Sequence, residues 1–431
     1  MNRKHWGTIA ATITLASTLV VGCGTTSNTT TNNTSSGGNS SSPTTSSGKT
    51  TITFYEAMPG ELGKELKTLT QKFEANHPSI HVDLIYNGSY STQEQKLTAA
   101  LAAHDAPTIA QVEETWESKY FQNGLLTELG KYLPQSTVQD LIPIWRKDSS
   151  YNGKLVSVPF NKSAYVLYYN TSDFKKAGIK KPPTTWSQLE SDAIKLTKSG
   201  VPGIGMQANY YQFEMFLHQA GGKDLNSSNT KAAFGGSAGK TALNFMYQLA
   251  DVDKAAKIVS ENGYLSNGFN TNEYAMDLDT TAALSFINNP SIHFKVAPLP
   301  RGTQAAVPTA GTNIVLFKSA TPAQKKAAIR YLAFLISKKT TIEWAEKTGY
   351  LPVRESALTD PTWISYTASH PDEGVAPKEL KHAFYSPRVA ALESGMTEAT
   401  TQIGNCISMH QSVSVTLQKM VQAINEALQN G

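Results

Sequence analysis

The stretch TITFYEAMPGELGKELKTLTQKFEANHPSIHVDLIYNGSYSTQEQKLTAALAAHDAPTIAQV, residues 51–112, decides the fold. Residues 51–55 alternate polar and apolar side chains, as a half-buried strand does. Leu62, Leu66, Leu69 and Phe73 then recur at helical spacing, and the run ends before His77 and Pro78. Val82, Leu84 and Tyr86 alternate again as a second strand. Ser91 and Glu94 suit a capping box for a helix through Leu97 and Leu101. Residues 108–112 read as a third strand, short and buried. Strand, helix, strand, helix, strand is the order of a mostly parallel sheet with helices packed on it, so the fold class is α/β.

Outward from this stretch the pattern continues. Tyr151-Asn152-Gly153-Lys154 is a turn, and residues 155–158 form a short strand that stops at Pro159. Residues 165–169 (Tyr-Val-Leu-Tyr-Tyr) form an apolar strand closed by Asn170. A short helix over 174–177 ends at Gly178. Thr185 and Gln188 can cap the next helix. Later helices are expected over 238–249, 322–336 and 413–428, and strands over 294–299 and 312–317. Tyr168, Tyr169, Trp186 and Trp344 read as packing residues, and no internal repeat is present.

The N-terminus has a different character. A basic start (Arg3, Lys4) leads into an apolar run over 6–21, which ends at Gly22-Cys23. That run is too short to span a membrane comfortably and reads as an export leader, residues 1–22. A cysteine directly after the small residue resembles a lipoprotein cleavage site, so Cys23 is the expected lipid attachment point. Residues 24–48 carry no charge and almost nothing apolar. Such a segment cannot offset its ordering entropy by burial, so 23–49 is expected to be a flexible tether. The expected location is the extracellular face of a bacterial cell membrane.

Roughly 380 residues remain, more than one core normally holds, which implies two lobes. Net charge is +4 with acids and bases interspersed, and the absence of a basic block argues against nucleic acid as a partner. The low share of charged residues, 17%, would suit an acidic habitat. With Cys23 lipidated, Cys406 has no intramolecular partner. The nine histidines are scattered and none makes a His-x-x-x-His pair beside an acid, so no metal site and no cofactor are expected.

Leu167-Tyr168-Tyr169-Asn170, Phe174-Lys175-Lys176-Ala177-Gly178, Pro183-Thr184-Thr185-Trp186 and Thr348-Gly349-Tyr350-Leu351-Pro352, in this order and behind such a leader, resemble the sugar-type extracellular solute-binding proteins of ABC importers. Pro59-Gly60-Glu61-Leu62-Gly63-Lys64-Glu65, Tyr86-Asn87-Gly88-Ser89-Tyr90, Pro159-Phe160-Asn161 and Ala110-Gln111-Val112 are similar to the glycerol-3-phosphate-binding branch. The resemblance implies a two-lobed periplasmic-binding-protein-like fold, with hinge strands and a ligand cleft between lobes. On that template residues 50–162 with 300–336 form lobe one, and 163–299 with 337–431 form lobe two. It implies a monomer that traps a small polar solute, a polyol phosphate or a sugar, by hinge closure and presents it to permease subunits.

Carried over residue by residue, the resemblance implies a pocket of Tyr90, Glu114, Ser163, Thr280, Gly311 and Tyr350. A carboxylate accepts hydroxyl hydrogen bonds, and the tyrosines offer an apolar face with a hydroxyl at its end. The branch also has a phosphate-gripping arginine in the C-terminal segment. Around 395–401 this chain has none, and Thr400 sits near that place. Lys162 or Arg388 is the expected substitute charge. Tyr210 and Tyr211 stand where the branch has paired tryptophans and are expected to stack on a ligand. The polyol end of such a pocket is kept while the phosphate end is altered, which leaves a glycerophosphodiester or a neutral oligosaccharide as alternatives.

A secreted hydrolase is the rival reading. Glu113 and Glu114 are adjacent acids, and neighbours on a strand point to opposite faces, so they would not flank one bond. No Gly-x-Ser-x-Gly elbow and no metal motif are present. A sensor or adhesin subunit of the same fold is a third reading.

Overall fold

The structure of the protein, a computed structural model, describes residues 48–260 and 264–430. The expected leader, the expected lipid attachment at Cys23 and the expected tether up to 47 lie outside the described residues. The two ends of the decisive stretch behave as their patterns require. β1 (Thr50–Glu56) is followed by helix α1 (Gly60–Asn76), β2 (Ile80–Tyr86), helix α2 (Tyr90–Ala102) and β3 (Ile109–Val112). α1 buries Leu62, Leu66, Leu69 and Phe73, each at no more than 3% exposure. Each such side chain contributes about 1.5–3 kcal/mol of burial. The cap of α2 falls earlier than Ser91: Ser89 accepts from the Thr92 N–H, so the helix begins at Tyr90.

The hairpin β4 (Ser150–Tyr151) to β5 (Lys154–Leu155) turns at Asn152 and Gly153, both with positive φ. After it come β6 (Ser157–Pro159) and β7 (Ser163–Asn170). They are followed by β8 (Ile204–Gln207), β9 (Ala256–Val259), β10 (Met276–Thr280) and β11 (Phe294–Ala297). The last strands are β12 (Val307–Ala310), β13 (Asn313–Leu316) and β14 (Ala383–Phe384). The first sheet runs β2-β1-β3-β13-β6, with β1 parallel to β2 and β3, and β13 antiparallel to β3 and β6. The second runs β14-β12-β7-β10-β8-β9, with β11 added beside β7.

The chain changes sheet three times, the last when β14 follows β13 back into the second sheet. It leaves the first sheet after β6 and enters the second at β7; it returns between β12 and β13. The expected change at 162–163 lies at the first crossing. The return expected at 300 precedes the second crossing, because Val307–Ala310 is still paired with β7 and β14. The helix Lys338–Thr348, assigned by sequence to lobe two, packs against α1 and the helix Pro322–Leu335. Its Trp344 stacks on Phe160 at 4.8 Å, and its Glu343 pairs with Lys72 of α1. Packing on the first sheet therefore continues past 336.

Gly311 occupies the second crossing at φ +104, and a Cβ there would stand 1.8 Å from the Asn161 carbonyl oxygen. Only glycine lets the two crossing segments lie this close. No helix among the described residues is long and apolar enough to cross a membrane.

Candidate functional site

The crossings gather side chains from distant parts of the chain, with Asn161 at the centre. Its Nδ2 donates to the Tyr90 hydroxyl at 2.8 Å and to the Tyr350 hydroxyl at 3.3 Å. Its Oδ1 accepts from the Thr312 N–H at 3.2 Å, from the Thr312 hydroxyl, and from Gln111 Nε2 at 3.3 Å. Asn161 is fully buried, so this saturated amide fixes both tyrosines. The left-handed Gly349 ends the preceding helix, and Leu351 N–H donates to the Lys162 carbonyl at 2.8 Å. The Thr348–Pro352 segment is thereby clamped to the first crossing, with the Tyr350 ring parallel to Trp344. Burial raises the phenol pKa of both Tyr90 and Tyr350, so both hydroxyls are neutral donors.

Glu113 and Glu114 are not on a strand. β3 stops at Val112, Glu113 is the N-cap residue and Glu114 opens helix α3 (Glu114–Gln122). The opposite-faces argument against paired acids therefore does not hold at this position. Burial pushes the Glu113 carboxyl up to about 7, helped by Glu114 and opposed by the Trp116 indole N–H at 3.2 Å. Burial also raises Glu114, whose side chain keeps 18% exposure; Lys162 opposes that rise.

Lys162 is enclosed rather than presented. Its Nζ lies 2.7 Å from Asp148 Oδ2 and 3.4 Å from Glu114 Oε1. Burial works against the ammonium, but Asp148 and Glu114 outweigh it and hold the lysine above its ordinary pKa. Behind the pair, Glu117 accepts from Ser157 Oγ and Asn313 Nδ2, both at 2.7 Å. Burial, then Asp148, pushes Glu117 up to about 8.

Arg388 sits in the segment that follows β14. One guanidinium nitrogen, Nη1, donates to the carbonyls of Asp148 and Ser150. The guanidinium lies over the rings of Tyr151 (4.3 Å) and Tyr385 (5.2 Å). The same segment ties back to the second sheet, because Ser386 Oγ donates to Glu214 Oε2 and Thr309 Oγ1 donates to the Phe384 carbonyl. It thus spans both sheets beside the crossings.

The other expected residues divide. Tyr211, at the start of the helix Tyr210–Gln219, is half exposed, yet desolvation and the charges of Glu113, Glu114 and Glu214 raise its phenol well above the usual value. The half-exposed ring therefore stands near Glu113 and Glu114 at the start of α3 and near Glu214 of its own helix. Tyr210 does not share that position: it is buried and donates to Asp224 Oδ1 at 3.0 Å, so its ring is not offered to a ligand. Thr400 accepts from the Tyr210 N–H, a capping contact. Ser163 is buried at the start of β7, paired with Ala310, and Thr280 ends β10 opposite Tyr165. Gly311 lies against the Asn161 carbonyl and the Lys162 backbone. Trp186 bonds Gln219 at 2.7 Å and stacks on Phe245 at 4.5 Å, a packing role. Asn161, Tyr151 and Tyr385 complete the group, and sequence reading passed over them as site residues. A buried asparagine after a proline-ended strand was their only signal.

The arrangement offers neutral hydroxyls, carboxylates, an arginine face and aromatic rings around the crossings. That is chemistry for a polar, hydroxyl-rich molecule. Two open recesses, about 320 Å³ between the helices Leu392–Ser408 and Val413–Asn430 and about 470 Å³ along α2, are lined by none of these side chains.

Residues 68–371 match the bacterial extracellular solute-binding proteins, and the chain belongs to that family. It is 28% identical over 360 residues to the sn-glycerol-3-phosphate-binding periplasmic protein UgpB of Escherichia coli O1:K1, covering 77% of this chain and 80% of that one. Among solved structures it is similar to UgpB from Mycobacterium tuberculosis in complex with glycerophosphocholine, with TM-score 0.81, 25% identity, and coverage of 89% and 99% of the two chains. The cyclic α-maltosyl-1,6-maltose binding protein from Arthrobacter globiformis shares the fold, with TM-score 0.78, 23% identity, and coverage of 89% and 100%. The expected two-lobed α/β binding-protein fold is the one observed.

Proposed function

We propose that this chain is the substrate-binding component of an ABC importer, and that it captures glycerol-3-phosphate or a related glycerophosphodiester between its lobes. The observation that carries the reading is the set Tyr90–Asn161–Tyr350 held next to the Lys162–Glu114 pair, with Arg388 on the carbonyls of Asp148 and Ser150, Asp148 being the other partner of Lys162. The tyrosine hydroxyls and Glu114 bind the polyol, Tyr211 covers it, and Ser163, Thr280 and Gly311 line the crossing. Arg388 supplies the anion-binding charge, because Lys162 is already answered by two carboxylates. The likeness to two UgpB proteins supports this choice of ligand. Residues 50–162 and about 311–366 form lobe one, and 163–310 with the C-terminal part from about 375 form lobe two. The protein acts as a lipid-anchored monomer on the extracellular face, held through Cys23, returns its ligand unchanged, and hands it to permease subunits.

The alternative is a neutral oligosaccharide. It draws on the fold shared with the maltosyl-maltose binder and on the Arg388 nitrogen spent on backbone carbonyls. Calorimetric titration of the full-length protein with sn-glycerol-3-phosphate, glycerophosphocholine and maltose decides between them. Tight binding of a phosphorylated ligand alone supports the proposal. Binding of maltose alone moves the protein to the oligosaccharide reading, and conversion of any ligand to product ends the binding-protein reading.

A further inference from the structure

Three side chains outside the binding group converge beneath the Ser386 segment. Glu214 and His218 are one turn apart on the helix Tyr210–Gln219, and Asp224 follows the loop after it. Their ligand atoms lie within 4.8 Å of one another. His218 Nε2 is 2.6 Å from Asp224 Oδ2, and Asp224 Oδ1 accepts from the Tyr210 hydroxyl. Glu214 Oε2 accepts from Ser386 Oγ.

Glu214 is 2% exposed, and its second oxygen, Oε1, is buried without a hydrogen-bond donor. The Glu214 and Asp224 carboxyl groups lie within 4.8 Å of each other. Among the described residues no lysine or arginine pairs with either acid, and the His218 imidazole is the one basic side chain in contact with Asp224. Two carboxylates cannot face each other in a buried site unless a positive species stands between them. That species is a proton or a metal cation.

We propose that Glu214, His218 and Asp224 form a divalent cation site, of the imidazole-and-carboxylate kind that takes Zn²⁺ and neighbouring transition metals. The donor set is one nitrogen and two carboxylate oxygens, which leaves a fourth position for water or a ligand atom. With metal–ligand bonds of about 2.0–2.2 Å, tetrahedral ligand atoms stand about 3.3–3.5 Å apart, so His218 and Asp224 separate by about 0.8 Å to admit the ion. The supports around the ligands are in place: the Tyr210 hydroxyl orients Asp224, Ser386 orients Glu214, and the His218 ring lies flat on Phe384 at 3.8 Å. Because Phe384 and Ser386 precede Arg388, an occupied site holds that segment against the helix Tyr210–Gln219.

The test is titration of the EDTA-stripped full-length protein with Zn²⁺, by calorimetry and by thermal melting. The expected result is one saturable equivalent and a rise in Tm. His218→Ala and Glu214→Gln are expected each to weaken Zn²⁺ binding at least tenfold. Glu214→Gln keeps the shape and can donate a hydrogen bond to Asp224, so it folds without metal and separates lost binding from lost structure. Absence of one-to-one binding, or binding unchanged in both variants, overturns the proposal. A Glu214→Gln protein as stable as the parent together with no Zn²⁺ uptake by the parent assigns the gap to a shared proton and overturns it as well.

Discussion

The Lys162 ammonium lies 2.7 Å from the Asp148 carboxylate, and both side chains are about 1% exposed. A buried ion pair of this kind is costly to break from one side, because the partner is left charged and unpaired. Lys162 connects β6 to β7, Asp148 precedes the β4–β5 hairpin, and Glu114 opens α3. The pair therefore ties the first crossing to two neighbouring segments of the first lobe.

Removing the ammonium tests that role. Lys162→Met keeps the stem volume and strands Asp148 and Glu114. A loss of about 3–5 kcal/mol in unfolding free energy of the ligand-free protein is expected. Denaturant titration without ligand measures it. Unchanged stability with lost affinity for a phosphorylated ligand would return Lys162 to the binding role considered from the sequence.

Gly311→Ala tests the close crossing. The added Cβ would overlap the Asn161 carbonyl, at a φ that side chains rarely adopt. Either the backbone shifts or the Asn161 amide loses its place between Tyr90 and Tyr350. A loss on the order of 2–4 kcal/mol is expected, from strain and overpacking together. A variant with parental Tm and parental ligand affinity would show that the crossing has slack.

The parallel half of the first sheet was legible because its strands and helices keep separate periods and end at clear breaks, His77-Pro78 and the Asn87-Gly88 turn. The second lobe was harder. The helix Tyr210–Gln219 buries Tyr210, Gln212, Phe213, Glu214, Met215, Phe216, Leu217 and Gln219, so it shows no apolar stripe. Glu214 and His218 sit inside that helix, and Asp224 comes from the loop after it, so no His-x-x-x-His spacing marks the group. Glu113 and Glu114 were placed on a strand because nothing punctuates the step from Val112 into α3. Lys162 reads from the sequence as a substitute charge for a ligand; its neutralising partner, Asp148, is distant in pattern and only the fold brings the two together. The tyrosines at 90 and 350 were legible only through resemblance, because Asn161 links positions too far apart for spacing to reveal.

The buried acids set a pH dependence. Glu117 is pushed up to about 8 and Glu113 up to about 7. A carboxyl raised above its unfolded value binds more protons in the native state, so stability falls as pH rises from the unfolded pKa towards the folded one. The protein should be more stable at pH 5 than at pH 8.5, by a few kcal/mol on the usual conversion of pKa shifts. Glu117→Gln can accept from Asn313 and donate to Ser157. It should leave stability at pH 5 nearly unchanged, raise it at pH 8.5, and flatten the profile. Denaturant midpoints at the two pH values measure this; a parental profile in the variant would assign the dependence to other groups.

Arg388 separates the two ligand readings most directly. Its guanidinium is positioned by two carbonyls and two aromatic rings, a geometry that a lysine ammonium cannot copy. If it grips a phosphate, Arg388→Lys should weaken sn-glycerol-3-phosphate binding on the order of 10–100-fold, the value of lost hydrogen bonds to a charged group. Loss of the carbonyl contacts alone would loosen the segment and weaken every ligand alike. The ratio of affinities for sn-glycerol-3-phosphate and a neutral polyol or sugar is therefore the informative quantity, measured by calorimetry in parent and variant. A ratio that falls at least tenfold places the phosphate on Arg388. A ratio that stays fixed while both affinities drop makes the arginine a brace between the lobes and favours the neutral oligosaccharide.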